Sequence, residues 1–184
     1  MGLFGRLRSS PYTVSALKAL TWLPVVVFVV DHGFSYGPVN GRSMQPTFNP
    51  DSNKLKRDFV FLNKWAVNDH NFERGEVVTL TSPTDPKLQI TKRIIAIEGD
   101  TVQPLRHSAA PVHVPKGHCW VEGDEAFHSR DSNSFGTVPM ALITAKVTHI
   151  LWPPSRFGAV EKRPVNLDRV SIGFIQPGRD DDFW

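Results

Sequence analysis

The sequence predicts a mainly β protein, with an antiparallel β-sheet body that follows one N-terminal transmembrane helix. Fifteen prolines and thirteen glycines in 184 residues favour a turn-rich β structure over a helical bundle. Short runs of aromatic and β-branched residues are spaced along residues 58–151, as in a series of strands. Residues 1–30 differ from the rest, because they contain no acidic residue and end in an apolar run at 19–30.

Composition excludes several classes of protein. Apolar residues make up 40% and charged residues 21% of the chain, as in ordinary globular proteins. The mean hydropathy of -0.23 excludes a polytopic membrane protein but not a single anchor. The net charge of +3 is too small to predict a nucleic-acid partner. Cys119 is the single cysteine, which excludes an internal disulfide and a cysteine-based zinc site.

The N-terminal part is predicted to be a basic segment, residues 1–12, followed by a membrane anchor, residues 13–36. The apolar run is shorter than the ~20 residues that a spanning helix needs, but flanking residues extend it to that length. Arg6 and Arg8 precede the run, which predicts an N-terminus on the positive-inside face and a body on the opposite side. Membrane lipid is therefore an expected partner. A cleaved targeting peptide and a buried core helix are the alternatives.

The peptide segment from 37 to 155 is predicted to form the sheet body. Five parts of it have the composition of strands, namely residues 58–64, 76–80, 88–97, 119–121 and 143–151. Turn-forming residues dominate the stretches between them, such as 82–86 and 123–136. The pattern weakens towards the end, so residues 156–184 are predicted to be a partly mobile C-terminal extension with a mobile tail at 179–184.

Lys92 is the only charged residue on one face of the longest predicted strand. Strand alternation places Leu88, Ile90, Ile94 and Ala96 on the same face. In one interpretation, the lysine lies at a strand edge, with its stem on the core and its ammonium in water. In the other, the amine is desolvated, which can lower its pKa from about 10.4 to near neutrality. A desolvated lysine could act as a general base.

Ser43 lies between Gly41 and Pro46, two residues that restrict the local backbone. A turn serine that hydrogen-bonds the backbone explains this position without any catalytic role. A serine hydroxyl becomes a useful nucleophile only beside a base. Gln45 replaces the second glycine of a Gly-x-Ser-x-Gly motif, so the sequence does not support an α/β-hydrolase nucleophile elbow. Spacing alone cannot bring Ser43 and Lys92 together.

Four groups of residues resemble the type I signal (leader) peptidases, and they occur in the order found in that family. They are Gly41–Thr47, Arg74–Val78, Lys92–Arg93 with Gly99–Asp100, and Gly123–Asp124 with Ser129, Asp131–Ser132 and Gly136. The resemblance covers most of the chain, and the family uses a Ser-Lys dyad on a β-sheet body. Residues 131–136 and 148–154 resemble the mitochondrial members most closely.

The resemblance implies a role for each matching residue. Ser43 would attack the scissile carbonyl, and neutral Lys92 would accept the proton of its hydroxyl. Ser129 would orient the lysine amine by a hydrogen bond. The backbone N–H of Ser43 would help to bind the oxyanion, and Met44 would line the substrate-binding region.

Two supporting positions depart from bacterial relatives. Asp131 would hold the last loop, but Asn133 replaces its usual arginine partner, so neutral hydrogen bonds must replace a salt bridge. Gly41 stands where some relatives place a serine hydroxyl in the oxyanion hole, so that donor is missing or replaced by water. One such donor is worth ~3 kcal/mol of transition-state stabilisation, so we expect this difference to affect the rate.

The resemblance also implies a function, a location and partners. The chain would be a serine endopeptidase of the mitochondrial inner membrane, with its catalytic domain in the intermembrane space and its N-terminus in the matrix. It would remove sorting segments from imported precursor proteins beside a second homologous peptidase subunit. A non-catalytic anchored subunit that stabilises a partner peptidase and a self-cleaving regulator are the alternatives.

No cofactor and no metal are expected. Four histidines lie in one turn-rich part of the chain with Cys119, but their spacing matches no common set of metal ligands. They are His107, His113, His118 and His128.

Overall fold

The computed structural model describes residues 11–50, 57–68, 71–105 and 109–173. Helix α1, Pro11–Phe28, begins the described chain, and a π-helical turn, Val29–Gly33, continues it. Among the described residues, one span, Val14–Gly33, is long and apolar enough to cross a membrane, and nearly all of it is exposed, with only its last residue, Gly33, buried. The predicted basic segment at 1–12 lies almost wholly outside the described residues, and the predicted mobile tail at 179–184 lies entirely outside them.

The described body is built from short strands and a few helical turns. The strands are β1 Phe34–Pro38, β2 Phe59–Asn63, β3 Val77–Ser82, β4 Asp85–Ile97, β5 Thr101–Val102, β6 Val112–His113, β7 His118–Glu122, β8 Val138–Pro139, β9 Ile143–Trp152, β10 Gly158–Ala159 and β11 Val170–Ser171. The short helices are α2 Trp65–Asn68 and α3 Ser132–Phe135, with 3-10 turns at Ala126–His128, Met140–Leu142 and Pro154–Arg156.

The strands form two antiparallel sheets. The larger sheet has the order β1-β2-β9-β3-β4-β7-β8, with β10 also paired to β9, and the smaller one has the order β11-β5-β6. Every strand pair in the described chain is antiparallel. The predicted fold class is confirmed, with a mainly β body and one N-terminal apolar helix.

Both faces of the larger sheet are covered by apolar side chains. Val77 and Val78 are neighbours in β3, and alternation sends them into different clusters. Val78 packs with Ile94 in the first cluster, whereas Val77 packs with Phe48 in the second. A third cluster, around Trp120, joins the smaller sheet to the body. The centre of the larger sheet is therefore packed on both faces.

Strand β4 carries Lys92, and a β-bulge changes its alternation after Ile94. Ile94 and Ala96 pair with consecutive residues of β7, so Ile95 is an extra residue in the ladder. Ile94 packs in the first cluster, whereas Ala96 packs with Trp120 in the third. The prediction that Ala96 shares the face of Lys92 is wrong, because strict alternation requires an unbroken ladder.

The apolar helix ends at Gly33, before the predicted anchor boundary at residue 36. The next residues form β1, which pairs with β2 along its whole length. Lys64 fixes this junction, because its Nζ donates to the carbonyl oxygens of Val30 at 3.1 Å and Asp31 at 3.0 Å. The end of the helix is therefore tied directly to the sheet body.

Residues 156–173 of the predicted C-terminal extension run along the body. Strand β10 pairs with β9, and β11 pairs with β5. Val170 is 2% exposed and packs against Trp120 and Val102 in the third cluster. Val170 thus anchors this largely exposed segment to the core, whereas residues 174–184 lie outside the described part of the chain.

Candidate active site

Ser43 lies in a compact turn between β1 and β2. Gln45 N donates to the carbonyl oxygen of Arg42 at 3.0 Å, and Phe48 N donates to that of Met44 at 2.8 Å. The turn is anchored because Met44 and Phe48 are buried in the second cluster. Ser43 itself stays partly exposed, so its neighbours fix the turn while its own position remains accessible.

Gly41 precedes the turn with a φ of +88°. This left-handed conformation is strained for any residue with a Cβ, so a serine would not fit this backbone without cost. Asn49 Nδ2 holds the same stretch by donating to the carbonyl oxygens of Val39 at 2.8 Å and Gly41 at 3.3 Å. A serine at position 41 would therefore strain the backbone that leads into this turn.

Lys92 is buried, with only 3% of its surface exposed. Its Nζ donates to Ser129 Oγ at 2.9 Å. Burial lowers the pKa of Lys92, although the negative charges of Asp131 and Asp124 act in the opposite direction. The interpretation of Lys92 as an edge lysine with its ammonium in water does not fit this burial.

Gly123 is where the turn of Ser43 meets the loop of Ser129. A Cβ at Gly123 would lie less than 3.0 Å from both the Ser43 carbonyl oxygen and Ser129 Oγ. Glu125 N also donates to the Ser43 carbonyl oxygen at 3.1 Å. The fold therefore places the turn of Ser43 beside the hydroxyl that contacts Lys92, although these residues are far apart in sequence.

An open groove of about 490 Å³ runs past Ser43. It is lined by residues of β1, including Ser35 and Gly37, and by residues of β4, including Gln89 and Ile90. Met44 is 2% exposed and packs in the core, and the groove is lined by other residues. Substrate binding by Met44 stays a prediction.

Asp131 organises the loop that carries Ser129. Its Oδ2 accepts from Gly123 N at 3.0 Å, and its Oδ1 accepts from both N and Nδ2 of Asn133 at 3.1 Å. Asp131 is also the N-cap of α3 and is 2% exposed. Neutral donors therefore take the place of the missing arginine, as the sequence led us to expect.

The Arg93 side chain binds four residues around the site, although its sequence context predicted no separate role for it. Its guanidinium holds Asp124 through Nε at 2.8 Å and Nη2 at 2.9 Å. Nη1 donates to the carbonyl oxygens of Gly75 at 2.7 Å and Glu161 at 3.1 Å, and Nη2 donates to Thr47 Oγ1 at 3.2 Å. In the sequence, the only indication of this role was strand alternation, which places Arg93 on the opposite face of β4 from Lys92.

Asp124 is the anionic partner of this arginine, and its side chain is 5% exposed. Burial raises the pKa of Asp124, but hydrogen bonds from Arg93 and Thr47 outweigh this effect and hold the pKa below its ordinary value. Asp124 is therefore an ionised structural group that adds negative potential near Lys92.

The described residues contain no group of three or more His, Cys, Asp or Glu side chains that could hold a metal ion. His107 lies outside the described residues, and the side chain of His128 is not described. Cys119 is buried in the core, which raises its pKa to about 12. Its thiol is thus unsuited to nucleophilic chemistry near neutral pH.

Comparison with known proteins identifies the family. The model of the family described as signal peptidase, peptidase S26, matches residues 13–108 and 103–152. The mitochondrial inner membrane protease subunit 2 of Schizosaccharomyces pombe is 49% identical over 154 residues, which span 82% of this chain and 83% of that protein. The subunit 2 of Mus musculus is 47% identical over 139 residues, 76% of this chain and 79% of that protein.

A solved signal peptidase I from Enterococcus faecalis is 20% identical, with a TM-score of 0.36, over 42% of this chain and 97% of that chain. The curated relatives are mitochondrial inner membrane protease subunits, and helix α1 has the length and composition of a membrane span. The chain is accordingly a peptidase of the mitochondrial inner membrane. The family match over residues 13–152, together with the identity to these relatives, shows that the chain belongs to the signal peptidase family, peptidase S26.

Proposed function

We propose that the chain is a serine endopeptidase in which Ser43 is the nucleophile and Lys92 is the general base. The observation that carries this proposal is the buried amine of Lys92, hydrogen-bonded to Ser129 beside the turn of Ser43. A serine needs an adjacent base, and a lysine can be that base only when its environment favours the neutral amine. Burial of Lys92 provides such an environment.

In the proposed reaction, neutral Lys92 removes the proton from Ser43 Oγ as that oxygen attacks the scissile carbonyl. The resulting ammonium then protonates the leaving amine, which releases the C-terminal product and leaves an acyl-enzyme on Ser43. Lys92, neutral again, takes a proton from water as that water attacks the ester carbonyl. The Lys92 ammonium then returns this proton to Ser43 Oγ as the bond between the acyl carbon and Oγ breaks, which releases the N-terminal product as a carboxylic acid and restores both residues. Ser129 keeps the amine oriented in both halves of the reaction.

The negative charge on the tetrahedral intermediate requires hydrogen-bond donors. We propose the backbone N–H of Ser43 as one donor, because it belongs to the nucleophile itself. Gly41 has no side-chain hydroxyl to add a second donor, and its positive φ disfavours any residue that would. A missing donor costs about 3 kcal/mol, so the rate of this enzyme depends on other groups or on water.

The proposed substrates are precursor proteins with cleavable sorting segments. An extended peptide could enter the open groove, which Ser43 lines together with residues of β1 and β4. The apolar span of α1 and the tie between Lys64 and the end of that helix would hold this groove close to the membrane surface. Segments that emerge from the membrane would therefore reach the site directly.

Topology and assembly follow from the same proposal. The basic N-terminal residues place the N-terminus in the matrix and the catalytic body in the intermembrane space. The curated relatives are named as subunits, and we infer that this chain works beside a second homologous peptidase subunit.

The test is cleavage of a precursor by the full chain together with its partner subunit in membranes or detergent. Ser43→Ala and Lys92→Arg should each abolish cleavage, because alanine has no nucleophile and a guanidinium keeps its proton. Lys116→Arg is the matched control, since Lys116 is exposed, and it should cleave normally. If Ser43→Ala and Lys92→Arg both leave cleavage unchanged, the chain is instead a non-catalytic subunit of the complex.

A further inference from the structure

The C-terminal segment 156–173 contacts both the turn that carries Ser43 and the strand that carries Lys92, although the family match ends at residue 152. Arg156 Nη2 donates to the carbonyl oxygen of Thr47 at 2.7 Å, in the turn that carries Ser43. The carbonyl oxygen of Glu161 accepts from Arg93 at 3.1 Å. A segment outside the family match therefore supports residues within it.

A further contact of this segment joins Arg169 to Glu122. Arg169 Nη2 and Nη1 lie 2.7 Å and 3.2 Å from the two carboxylate oxygens of Glu122. The Glu122 side chain is only 6% exposed, and Trp120 Nε1 donates to its Oε1 at 2.9 Å. A buried carboxylate is stable when paired and hydrogen-bonded, and costly once its cation is removed.

Glu122 is linked onward to the loop that carries Ser129. Asn133 Nδ2 donates to Glu122 Oε1 at 3.0 Å and to Asp131 Oδ1 at 3.1 Å, so one amide bridges two buried carboxylates. Asp131 in turn accepts from the backbone of Gly123 at 3.0 Å. A continuous chain of hydrogen bonds thus leads from the C-terminal segment to the loop.

Arg169 is itself held in place. Its Nε and Nη2 donate to the carbonyl oxygen of Gln103 at 3.3 Å and 3.2 Å, while Gln103 N donates to the Arg169 carbonyl oxygen at 2.8 Å. The next residue, Val170, is buried in the third cluster and pairs with Val102. The guanidinium is therefore a fixed group rather than a free surface charge.

We propose that Arg169 is a positioning residue for the peptidase reaction, holding the Ser129 loop against Lys92 and Ser43 through Glu122 and Asn133. In this way the C-terminal segment supplies the cation that the loop itself lacks at Asn133. The inference rests on the proposed function, because Ser129 matters only if Lys92 is the general base. A displacement of about 1 Å in a catalytic group can cost about 100-fold in rate.

The experiment measures kcat and KM for precursor cleavage by the full chain with its partner subunit. Arg169→Gln removes the cation and should lower kcat by about 10- to 100-fold with little change in KM. Arg169→Lys keeps the charge but not the two-pronged contact, and should fall between Arg169→Gln and the wild type. Lys162→Gln is the control, because Lys162 lies in the same segment but forms an exposed ion pair with Glu73.

The double variant Glu122→Gln with Arg169→Gln tests whether Arg169 acts on the Ser129 loop through Glu122. It removes the Glu122 charge together with its cation, while the glutamine amide that replaces the Glu122 carboxylate keeps an oxygen for Trp120 and Asn133, so most of the lost kcat should return. A double variant as slow as Arg169→Gln would overturn the route through Glu122. An Arg169→Gln enzyme with wild-type kcat would overturn the whole inference, and if that variant does not fold, wild-type kcat in Arg169→Lys would do so.

Failure of the inference and failure of the proposed function give different results. An inactive Lys92→Arg with a fully active Arg169→Gln refutes only the positioning role. An active Lys92→Arg refutes the dyad, whatever the behaviour of Arg169→Gln.

Discussion

Lys92 Nζ and Ser129 Oγ are joined by a hydrogen bond of 2.9 Å, between a strand at the centre of the sheet and a loop 37 positions away in sequence. A buried amine needs a polar partner, because an unpaired polar group in an apolar environment is costly. A hydroxyl suits both protonation states, since an ammonium and a neutral amine can each donate an N–H to it. The lone pair of the neutral amine then points elsewhere and can accept a proton.

We predict that Ser129→Ala lowers kcat by about 100-fold while KM changes little, because the amine loses its orientation but the groove is intact. Steady-state cleavage of a precursor by the complex measures both constants. Ser134→Ala is the matched control. Ser134 lies in α3, just after the Ser129 loop, is exposed, and donates its backbone N–H to the Asp131 carbonyl oxygen. Equal activity of the two variants would contradict the role of Ser129.

Gly123→Ala is predicted to impair cleavage at least as strongly as Ser129→Ala. The added methyl would lie less than 3.0 Å from Ser43 and Ser129 atoms, so one of the two segments must shift. Precursor cleavage and thermal unfolding should be measured together, since a loss of rate with a small change in Tm locates the damage at the site.

Gly158→Ala is the control for Gly123→Ala. A Cβ at Gly158 would meet nothing within 4 Å, so this variant should keep full activity and a normal Tm. If Gly123→Ala behaves like Gly158→Ala, then the contact between the turn of Ser43 and the Ser129 loop is not required for cleavage.

Sequence reasoning predicted the fold class and the positions of the main strands, because these depend on local composition and alternation. It placed Lys92 among apolar neighbours, and the structure buries that residue. It also predicted neutral hydrogen bonds to Asp131 from the substitution at Asn133, and these are present. Such features can be predicted from the sequence because each depends on the residue types within one local segment.

Features that depend on tertiary contacts were not predictable in this way. The bulge at Ile95 depends on pairing with β7, and no residue type marks it in the sequence. The links from Arg169 to Glu122 and from Arg156 to Thr47 join segments separated by 47 and 109 positions. No local pattern encodes such a distance, so the weak pattern after residue 155 did not predict that this segment pairs with β9 and β5 and buries Val170.

Arg93→Gln is predicted to lower the free energy of unfolding by about 3 kcal/mol, because it leaves the buried carboxylate of Asp124 without its main cation. Arg93→Lys should be less damaging, since it keeps the charge but cannot reach Asp124, Gly75, Glu161 and Thr47 together. Chemical or thermal unfolding of the purified variants measures the difference. Lys162→Gln should unfold like the wild type, because its ion pair is exposed. Equal stability of Arg93→Gln and Lys162→Gln would contradict a structural role for the arginine.

Lys92→Met is predicted to abolish cleavage and yet stabilise the fold. Burial lowers the pKa of Lys92, so the folded state disfavours the ammonium that the unfolded chain carries freely, and methionine removes this penalty. The gain, on the order of 1 kcal/mol, should be largest at pH values below the pKa of folded Lys92. It should fade as pH rises towards 10.5, the ordinary lysine value, because the wild-type amine is then neutral in both states.

The matched control for Lys92→Met is Lys146→Met, which removes the partner of the buried Glu76 carboxylate and should lower the Tm. Unfolding of both variants across a pH series separates the two effects. A lower Tm for Lys92→Met at neutral pH would mean that attraction to Asp124 and Asp131 outweighs the burial of the ammonium. Lys92 would then be a charged structural residue at neutral pH, and a general-base role would need another source of the neutral amine.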